Sequence, residues 1–203
     1  MNQNTGIARW PSLAFISGGT LMIGLWLIFT NVHGPTSYNL DRPFLDRDMQ
    51  FWGMLLGGPT NLLVTAALLG IAPRLTQGAP RRARVGLGLA VFGLAAAGAL
   101  DLTVGAINAP FFIPVVGAGL LLLALGRSDR PDLPRAAWIS LAVIGALNLI
   151  AFAWALVPLE TSDAVGGYRL YGLLAHVGTG LGWVAVGLSL WPRALALSRP
   201  ART

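Results

Sequence analysis

The sequence predicts an all-α protein, a polytopic transmembrane helix bundle of about six spans with both termini in the cytoplasm. Its 203 residues are 55% hydrophobic and only 11% charged, against about 25% charged residues in a typical soluble domain. So few charges cannot cover a water-exposed surface of this size, and lipid must therefore surround most of the protein. Six apolar stretches give the number of spans, and the distribution of arginine gives their orientation.

Each predicted span approaches the roughly 20 mostly apolar residues that cross a hydrocarbon core. The spans cover residues 13–31, 50–72, 85–107, 110–125, 137–157 and 170–191, all within one domain of residues 1–203. The fourth span is short, and a tight joint at Asn108-Ala109-Pro110 precedes it. Spans three and four therefore form a predicted transmembrane hairpin, with Pro110 in the first turn of a helix, where its missing N–H costs little.

Arginine is distributed unevenly between the two sets of loops. With the N-terminus inside, the cytoplasmic side holds eleven arginines and the outer side three. The cytoplasmic set is Arg9, Arg74, Arg81, Arg82, Arg84, Arg127, Arg130, Arg135, Arg193, Arg199 and Arg202, and the outer set is Arg42, Arg47 and Arg169. Basic residues concentrate on the cytoplasmic side of membrane proteins. We therefore expect a multi-pass protein of a bacterial-type inner (plasma) membrane, and no nucleic-acid partner, because the basic residues lie in short inter-span loops.

Composition also excludes several kinds of chemistry. The chain has no cysteine, which excludes disulfides and thiolate metal sites. It has no lysine, because all fourteen basic residues are arginine, and this excludes a retinal Schiff base. Two histidines, His33 and His176, do not provide the axial ligands of a haem bundle, and no His/Asp/Glu spacing indicates a metal site. We therefore expect no metal and no cofactor.

Four polar side chains lie inside the predicted spans, where such groups are costly and usually face a bundle interior. At about 1.5 Å per residue, Asp101 and His176 each lie roughly 9 Å below the outer surface, Asn148 roughly 13 Å and Asn61 roughly 16 Å. We predict one polar pocket that opens outward, with Asp101 and His176 as its catalytic residues. The predicted substrate-binding residues are Asn61, Asn148, Trp154, Tyr171, Asn108 and Trp52.

The longest connection, residues 32–49, carries alternating acidic and basic residues. It is either an internally paired, solvated loop or a lid over the pocket, in which case Asp46 and Asp48 are lid residues. Gly53/Gly57 and Gly178/Gly182 have the spacing of helix contact surfaces.

Asp101 allows two interpretations. It can hydrogen-bond a histidine or an asparagine and so hold helices together. Alternatively, because burial disfavours the charged form of a carboxyl group, it can act as a general acid, with His176 and Asn61 adjusting its behaviour. Asn61 has a further local explanation, since Gly57-Gly58-Pro59 should kink the second span and a nearby amide can satisfy the carbonyls that a kink frees.

A segment of about twenty residues resembles a known enzyme family. Asp46-Arg47-Asp48-Met49-Gln50-Phe51-Trp52-Gly53-Met54, followed by Pro59 and Asn61, is similar to the small membrane-integral terpene cyclases of meroterpenoid and indole-terpenoid biosynthesis. The resemblance implies an acid-initiated reaction of an isoprenoid. Val64 and Thr65 stand where that family has a Trp-Glu pair, so the resemblance implies that Asp101 or the loop acids supply the proton. Aromatic faces, Trp154 and Tyr171 among them, would stabilise the cation.

Three functions remain open at this level. The first is a membrane-embedded enzyme that cyclises or isomerises a lipophilic, isoprenoid substrate. The second is a small proton-coupled transporter with Asp101 as the coupling site, although the two halves of the chain show no internal repeat of the kind many carriers have. The third is a non-catalytic subunit or assembly factor of a membrane complex. Membrane lipid is an expected partner in all three, and the sequence does not determine the oligomeric state.

Overall fold

The computed structural model describes residues 9–33, 43–104, 111–126, 133–156 and 169–197. These ranges hold six helices, and their only β-type pairing is the isolated bridge between Phe44 and Arg47. The helices are α1 (Arg9–His33), α2 (residues 49–76), α3 (Arg81–Val104), α4 (Phe112–Leu125), α5 (Arg135–Ala155) and α6 (residues 169–197). The prediction of an all-α helix bundle is confirmed.

Five of the six described helices are long and apolar enough to cross a membrane. The qualifying segments are Arg9–Thr30, Gln50–Thr76, Arg81–Thr103, Arg135–Ala155 and Arg169–Trp191. Helix α4 has 14 residues, which at 1.5 Å per residue is about 21 Å, less than the roughly 30 Å of a hydrocarbon core. The fourth predicted span is thus short, as the sequence indicated. The predicted joint at Asn108 and Pro110 lies outside the described residues. The chain is a multi-pass membrane protein.

The helices extend past several of the predicted span ends. Helix α1 begins at Arg9, before the predicted start at residue 13, and α2 continues to Thr76, beyond residue 72. Helical hydrogen bonding does not require an apolar side chain, so polar residues can continue a helix beyond the hydrocarbon. Helix α2 stops where Gln77 becomes extended and Gly78 adopts a positive φ of 58°, a backbone conformation that glycine reaches without strain.

Helix α2 contains a π-helical turn next to a proline. Met49–Trp52 are α-helical, Gly53–Gly57 are π-helical, and Gly58–Thr76 return to α-helix. The N–H of Gly58 donates to the carbonyl of Gly53, five residues back. Pro59 explains the change, because it has no N–H to donate and its ring would collide with the carbonyl four residues back. At the predicted kink, Gly57-Gly58-Pro59, the helix therefore contains a π-helical turn.

Helix α6 contains the second π-helical segment, Leu173–Gly178, followed by α-helical Thr179–Leu197. The Thr179 N–H donates to the carbonyl of Leu174, five residues back. The Thr179 hydroxyl donates to the same carbonyl at 3.2 Å. This side chain therefore supports the wider turn locally. The sequence did not predict this π-helical segment, because the segment contains no proline.

The six helices form a closed ring in chain order, in which each packs against the next and α6 packs against α1. Three of these interfaces contain facing glycines: Gly19 and Gly180 join α1 to α6, Gly86 and Gly119 join α3 to α4, and Gly117 and Gly145 join α4 to α5. A methyl group built at Gly145 would lie 2.9 Å from the Gly117 carbonyl oxygen. Small residues thus allow the close backbone approach that holds membrane helices together. Gly178 and Gly182 pack against Leu147 and Ile144 of α5, as expected for a contact surface.

The interior of the ring has two parts. Its apolar half lies toward the α1 N-terminus and is a continuous cluster of buried aliphatic and aromatic side chains, among them Phe15, Leu68, Leu120, Leu141 and Leu190. The polar half lies toward the α1 C-terminus and contains Asn61, Asp101, Asn148 and His176. Under the predicted orientation the polar half is the outer one. Trp183 belongs both to the apolar cluster and to the boundary with the polar half, and it stacks on Phe15 with ring centroids 5.5 Å apart.

Candidate intramembrane site

A partly open cavity of about 80 Å³ lies inside the polar half, and all six helices contribute to its wall. The wall is mainly apolar. Its polar members are Thr60, Asn61, Asp101, Asn148, His176, Thr179 and Trp183. The π-helical segments contribute as well, Gly53 and Gly57 from α2 and Ala175 and His176 from α6. A mainly apolar cavity with a few convergent polar groups is the usual form of a small-molecule site.

The structure brings together the four polar residues that were expected to share a pocket. Asn61, Asp101, Asn148 and His176 come from α2, α3, α5 and α6, and all four line this cavity. The Asn148 amide nitrogen donates to the Ile144 carbonyl of its own helix at 2.9 Å. The residues therefore surround one common space.

Asp101 is held by the neighbouring helix α2. Its side chain is buried, and Asn61 Nδ2 donates to Asp101 Oδ2 at 3.3 Å. The amide nitrogen of Asn61 thus reaches across to α3, as expected for a partner of Asp101, and among the described residues it donates to no carbonyl of its own helix. The α2 backbone is also close at this point, since a methyl group built at Gly57 would lie 2.9 Å from the same carboxyl oxygen.

His176 is packed as an aromatic side chain. Its ring stacks on Trp26 with centroids 5.4 Å apart and an angle of 5° between the planes. Phe29 and Tyr171 meet it edge to face at 6.4 Å and 6.1 Å. Helices α3 and α6 lie opposite each other in the ring, and no hydrogen bond among the described residues joins Asp101 to His176. Of the two partners expected for Asp101, a histidine or an asparagine, the described residues show the asparagine, Asn61.

Several buried polar atoms around the cavity have no hydrogen-bond partner within the part of the chain that the structure describes. They are the Thr60 hydroxyl, Trp183 Nε1, His176 Nε2 and the hydroxyl of Tyr171, whose ring packs against His176. Buried polar groups are nearly always hydrogen-bonded in proteins. Three of these atoms belong to side chains that line the cavity.

Other predicted site residues lie away from the cavity wall. Trp52 is half-buried, and its Nε1 donates to the Phe44 carbonyl at 3.1 Å. Trp154 is 38% exposed, and Tyr171 is buried against His176 without lining the cavity. Asn108 lies outside the described residues. The roles predicted for these side chains stay predictions.

The predicted lid residues lie on an exposed turn before α2. Leu45 and Asp46 adopt positive φ of 54° and 57°, and Phe44 and Arg47 pair on either side of them. Asp48 Oδ1 accepts a hydrogen bond from the Phe51 N–H at 2.7 Å, which satisfies a backbone donor at the start of α2. Neither Asp46 nor Asp48 lines the cavity. Asp48 therefore has a structural role as a helix cap.

Sequence patterns did not single out several residues that form the site. Trp183 carries a usable signal, because tryptophan favours the membrane interface and this one lies deep within its span. Thr60 carries none, since a threonine in a membrane helix commonly bonds a carbonyl of its own helix. Phe112 and Ile113 come from the start of α4, which only the tertiary structure places here. Among the described residues, no group of three or more His, Cys, Asp or Glu side chains could hold a metal ion.

Comparisons of this chain with family models, with curated proteins and with solved structures found no match.

Proposed function

We propose that the protein is a membrane-embedded enzyme that protonates a lipophilic substrate of the isoprenoid class and so starts a cyclisation or isomerisation. The observation that carries this proposal is the position of Asp101. It is the only acidic residue among the cavity-lining side chains, and it is buried in a mainly apolar cavity. A carboxyl group in such surroundings favours its neutral form. A neutral acid beside a lipophilic molecule can donate its proton.

The reaction balances without any co-reactant. The Asp101 proton adds to one carbon of a carbon–carbon double bond, whose π electrons form the new C–H bond and leave a carbocation on the other carbon. A second double bond of the same molecule can attack the cation and close a ring. Loss of a neighbouring proton to the Asp101 carboxylate then forms a new double bond and restores the acid. Product and substrate are isomers.

Two further features of the cavity support this chemistry. Trp183 and Phe112 place aromatic rings at the cavity wall, and such rings stabilise nearby cations. Trp154 and Tyr171, which the sequence suggested for this role, do not line the cavity. The cavity, at about 80 Å³, is smaller than the roughly 150 Å³ that holds one benzene molecule, so it receives the double bond that is protonated, while the rest of a chain that closes a ring lies at the open side of the cavity.

Incorporation of deuterium tests the proposal. The purified protein in lipid nanodiscs is incubated in D₂O with a panel of linear prenyl alcohols, aldehydes and hydrocarbons, and products are identified by mass spectrometry. We expect an isomeric product with one solvent-derived deuterium on carbon. Asp101→Asn should lower its rate by at least about 100-fold, the usual contribution of a general acid. Asp46→Asn, on the exposed turn, is the matched control and should leave the rate unchanged.

A product without deuterium, or an Asp101→Asn variant that folds and turns over normally, contradicts the proposal.

A proton-coupled carrier is the second candidate, and the π-helical segments favour it. Both border the cavity and both pack against α1. Carriers commonly form their binding sites from interrupted helices near the middle of the membrane. Uptake of a lipophilic solute into proteoliposomes that depends on a pH gradient, and is lost in Asp101→Asn, would favour the carrier. Deuterium incorporation with no such uptake favours the enzyme.

A further inference from the structure

We propose that Gly57 is a positioning residue for Asp101. Together with Asn61 it holds the carboxyl group in one orientation, in which Oδ1 is the oxygen that gives up the proton. This inference rests on the proposed function for its consequence in turnover, but the orientation of the carboxyl group can be measured by itself.

The first observation is the space beside Gly57. A methyl group built there would lie 2.9 Å from Asp101 Oδ2 and 3.4 Å from the carboxyl carbon. Real side-chain carbons essentially never approach other atoms to under 3.0 Å. The carboxyl group is the free end of a side chain, so an alanine at this position displaces the carboxyl group and leaves the helix backbone in place. The absence of a Cβ atom at Gly57 is therefore what allows Asp101 to lie against α2.

The second observation is the hydrogen bond that fixes the carboxyl group in that space. Asn61 lies four residues after Gly57 and therefore on the same face of α2. Its Nδ2 donates to Asp101 Oδ2 at 3.3 Å, so the same oxygen touches both α2 residues. A side chain with little room and one fixed hydrogen bond keeps few alternative orientations.

The orientation determines which oxygen carries the proton. A neutral carboxyl group has one O–H and one carbonyl-type oxygen. Because Oδ2 accepts the Asn61 N–H, it is the carbonyl-type oxygen, and the proton belongs to Oδ1. Among the described residues no hydrogen bond to Oδ1 is present, so its proton is available to a molecule in the cavity. Gly57 and Asn61 thus act through Asp101 and need not touch the substrate.

Infrared spectroscopy of the carboxyl C=O stretch tests this directly. The band of neutral Asp101 is assigned as the one that Asp101→Asn lacks. We expect it to move to higher wavenumber in Asn61→Leu, because the C=O group loses its hydrogen bond. Gly57→Ala should move it in the same direction. Because both changes break one bond, the double variant should show no further shift.

Gly58→Ala is the matched control. This glycine is adjacent on the same helix and faces the same neighbour, because a methyl group built there would lie 2.5 Å from the side chain of Leu102 on α3. It therefore perturbs α2–α3 packing at least as much as Gly57→Ala without touching the carboxyl group. We expect the band to stay at its parent position. If Gly58→Ala shifts it as far as Gly57→Ala does, or if Gly57→Ala leaves it in place, the proposal is overturned.

Four further outcomes are decisive. Absence of a neutral carboxyl band in the parent protein overturns the proposal. If Gly57→Ala does not fold, adding Asp101→Ala must restore folding, because it removes the group with which the methyl collides, and failure to restore it is evidence against the inference. In turnover, Gly57→Ala should reduce the rate about tenfold to a hundredfold, as misplacement of a reacting group does. The fourth outcome is that the band shifts as expected while turnover does not depend on Asp101. That combination would support the positioning role of Gly57 and overturn only the proposed function.

Discussion

Replacing Thr60 by valine should make the ligand-free protein more stable. Thr60 is 1% exposed, and its hydroxyl has no hydrogen-bond partner within the described residues. Valine has the same branched shape, so the change removes the unpaired hydroxyl and keeps the packing. A buried polar group without a partner costs about 1–3 kcal/mol. We therefore expect the free energy of unfolding to rise by about 1–2 kcal/mol.

Thr65→Val is the matched control for this prediction. Thr65 is also buried, five residues further along α2, but its hydroxyl donates to the Asn61 carbonyl at 2.8 Å. Valine there removes a hydrogen bond that exists, so we expect a loss of about 0–1 kcal/mol. Both variants can be unfolded reversibly by SDS in mixed micelles and followed by tryptophan fluorescence.

The opposite sign of the two effects is the informative result. If Thr60→Val has the stability of the parent or less, its hydroxyl already has a partner, for example water that fills the cavity. That result would refute the reasoning that this buried hydroxyl has no hydrogen-bond partner. A gain in stability with weaker binding of the proposed substrate would instead identify Thr60 as a group kept for ligand binding at some cost in stability.

The remaining predictions concern glycine packing and membrane orientation. Gly172→Ala should lower the stability by about 1–3 kcal/mol, because the added methyl would collide with the ring of Trp26. Gly24 has open space around it, so Gly24→Ala should be neutral or stabilising by up to about 1 kcal/mol. Thermal unfolding in detergent compares the two variants. Equal losses of stability in both would contradict the expectation. For orientation, a membrane-impermeant thiol reagent added outside intact cells should label Asp46→Cys and spare Gln77→Cys, since the parent chain has no cysteine. The reverse pattern would invert the predicted topology.

The candidate site shows how far depth along a helix can predict contacts. Asn61, Asp101, Asn148 and His176 were expected at similar levels, and all four line one cavity. The depth of a residue follows from its position in the sequence and from the constant rise per residue of a helix. The partner of each group does not follow from depth. Asp101 bonds Asn61 of the preceding helix, whereas His176 is enclosed by aromatic rings, because rotation of each helix about its axis selects its neighbours.

The π-helical turns are a second feature that the sequence indicates only in part. Pro59 makes an irregularity in α2 predictable, since a proline inside a helix cannot complete the regular hydrogen bonding. The irregularity in α6 has no such marker. There Thr179 bonds the Leu174 carbonyl. A hydroxyl that can bond several carbonyls of its own helix does not reveal in advance which one it takes.

The sequence by itself determined that this chain is a bundle of apolar helices, because a chain with so few charges must satisfy its backbone hydrogen bonds internally, and helices do this within each segment. It also determined which helix is short and which levels are polar, because these depend on residue order alone. Only the tertiary structure decided that the helices close into a ring, that α4 contributes to the cavity wall, and that Gly57 leaves room for Asp101. Those facts depend on which faces meet, and facing surfaces are set by side-chain shape across helices far apart in the chain.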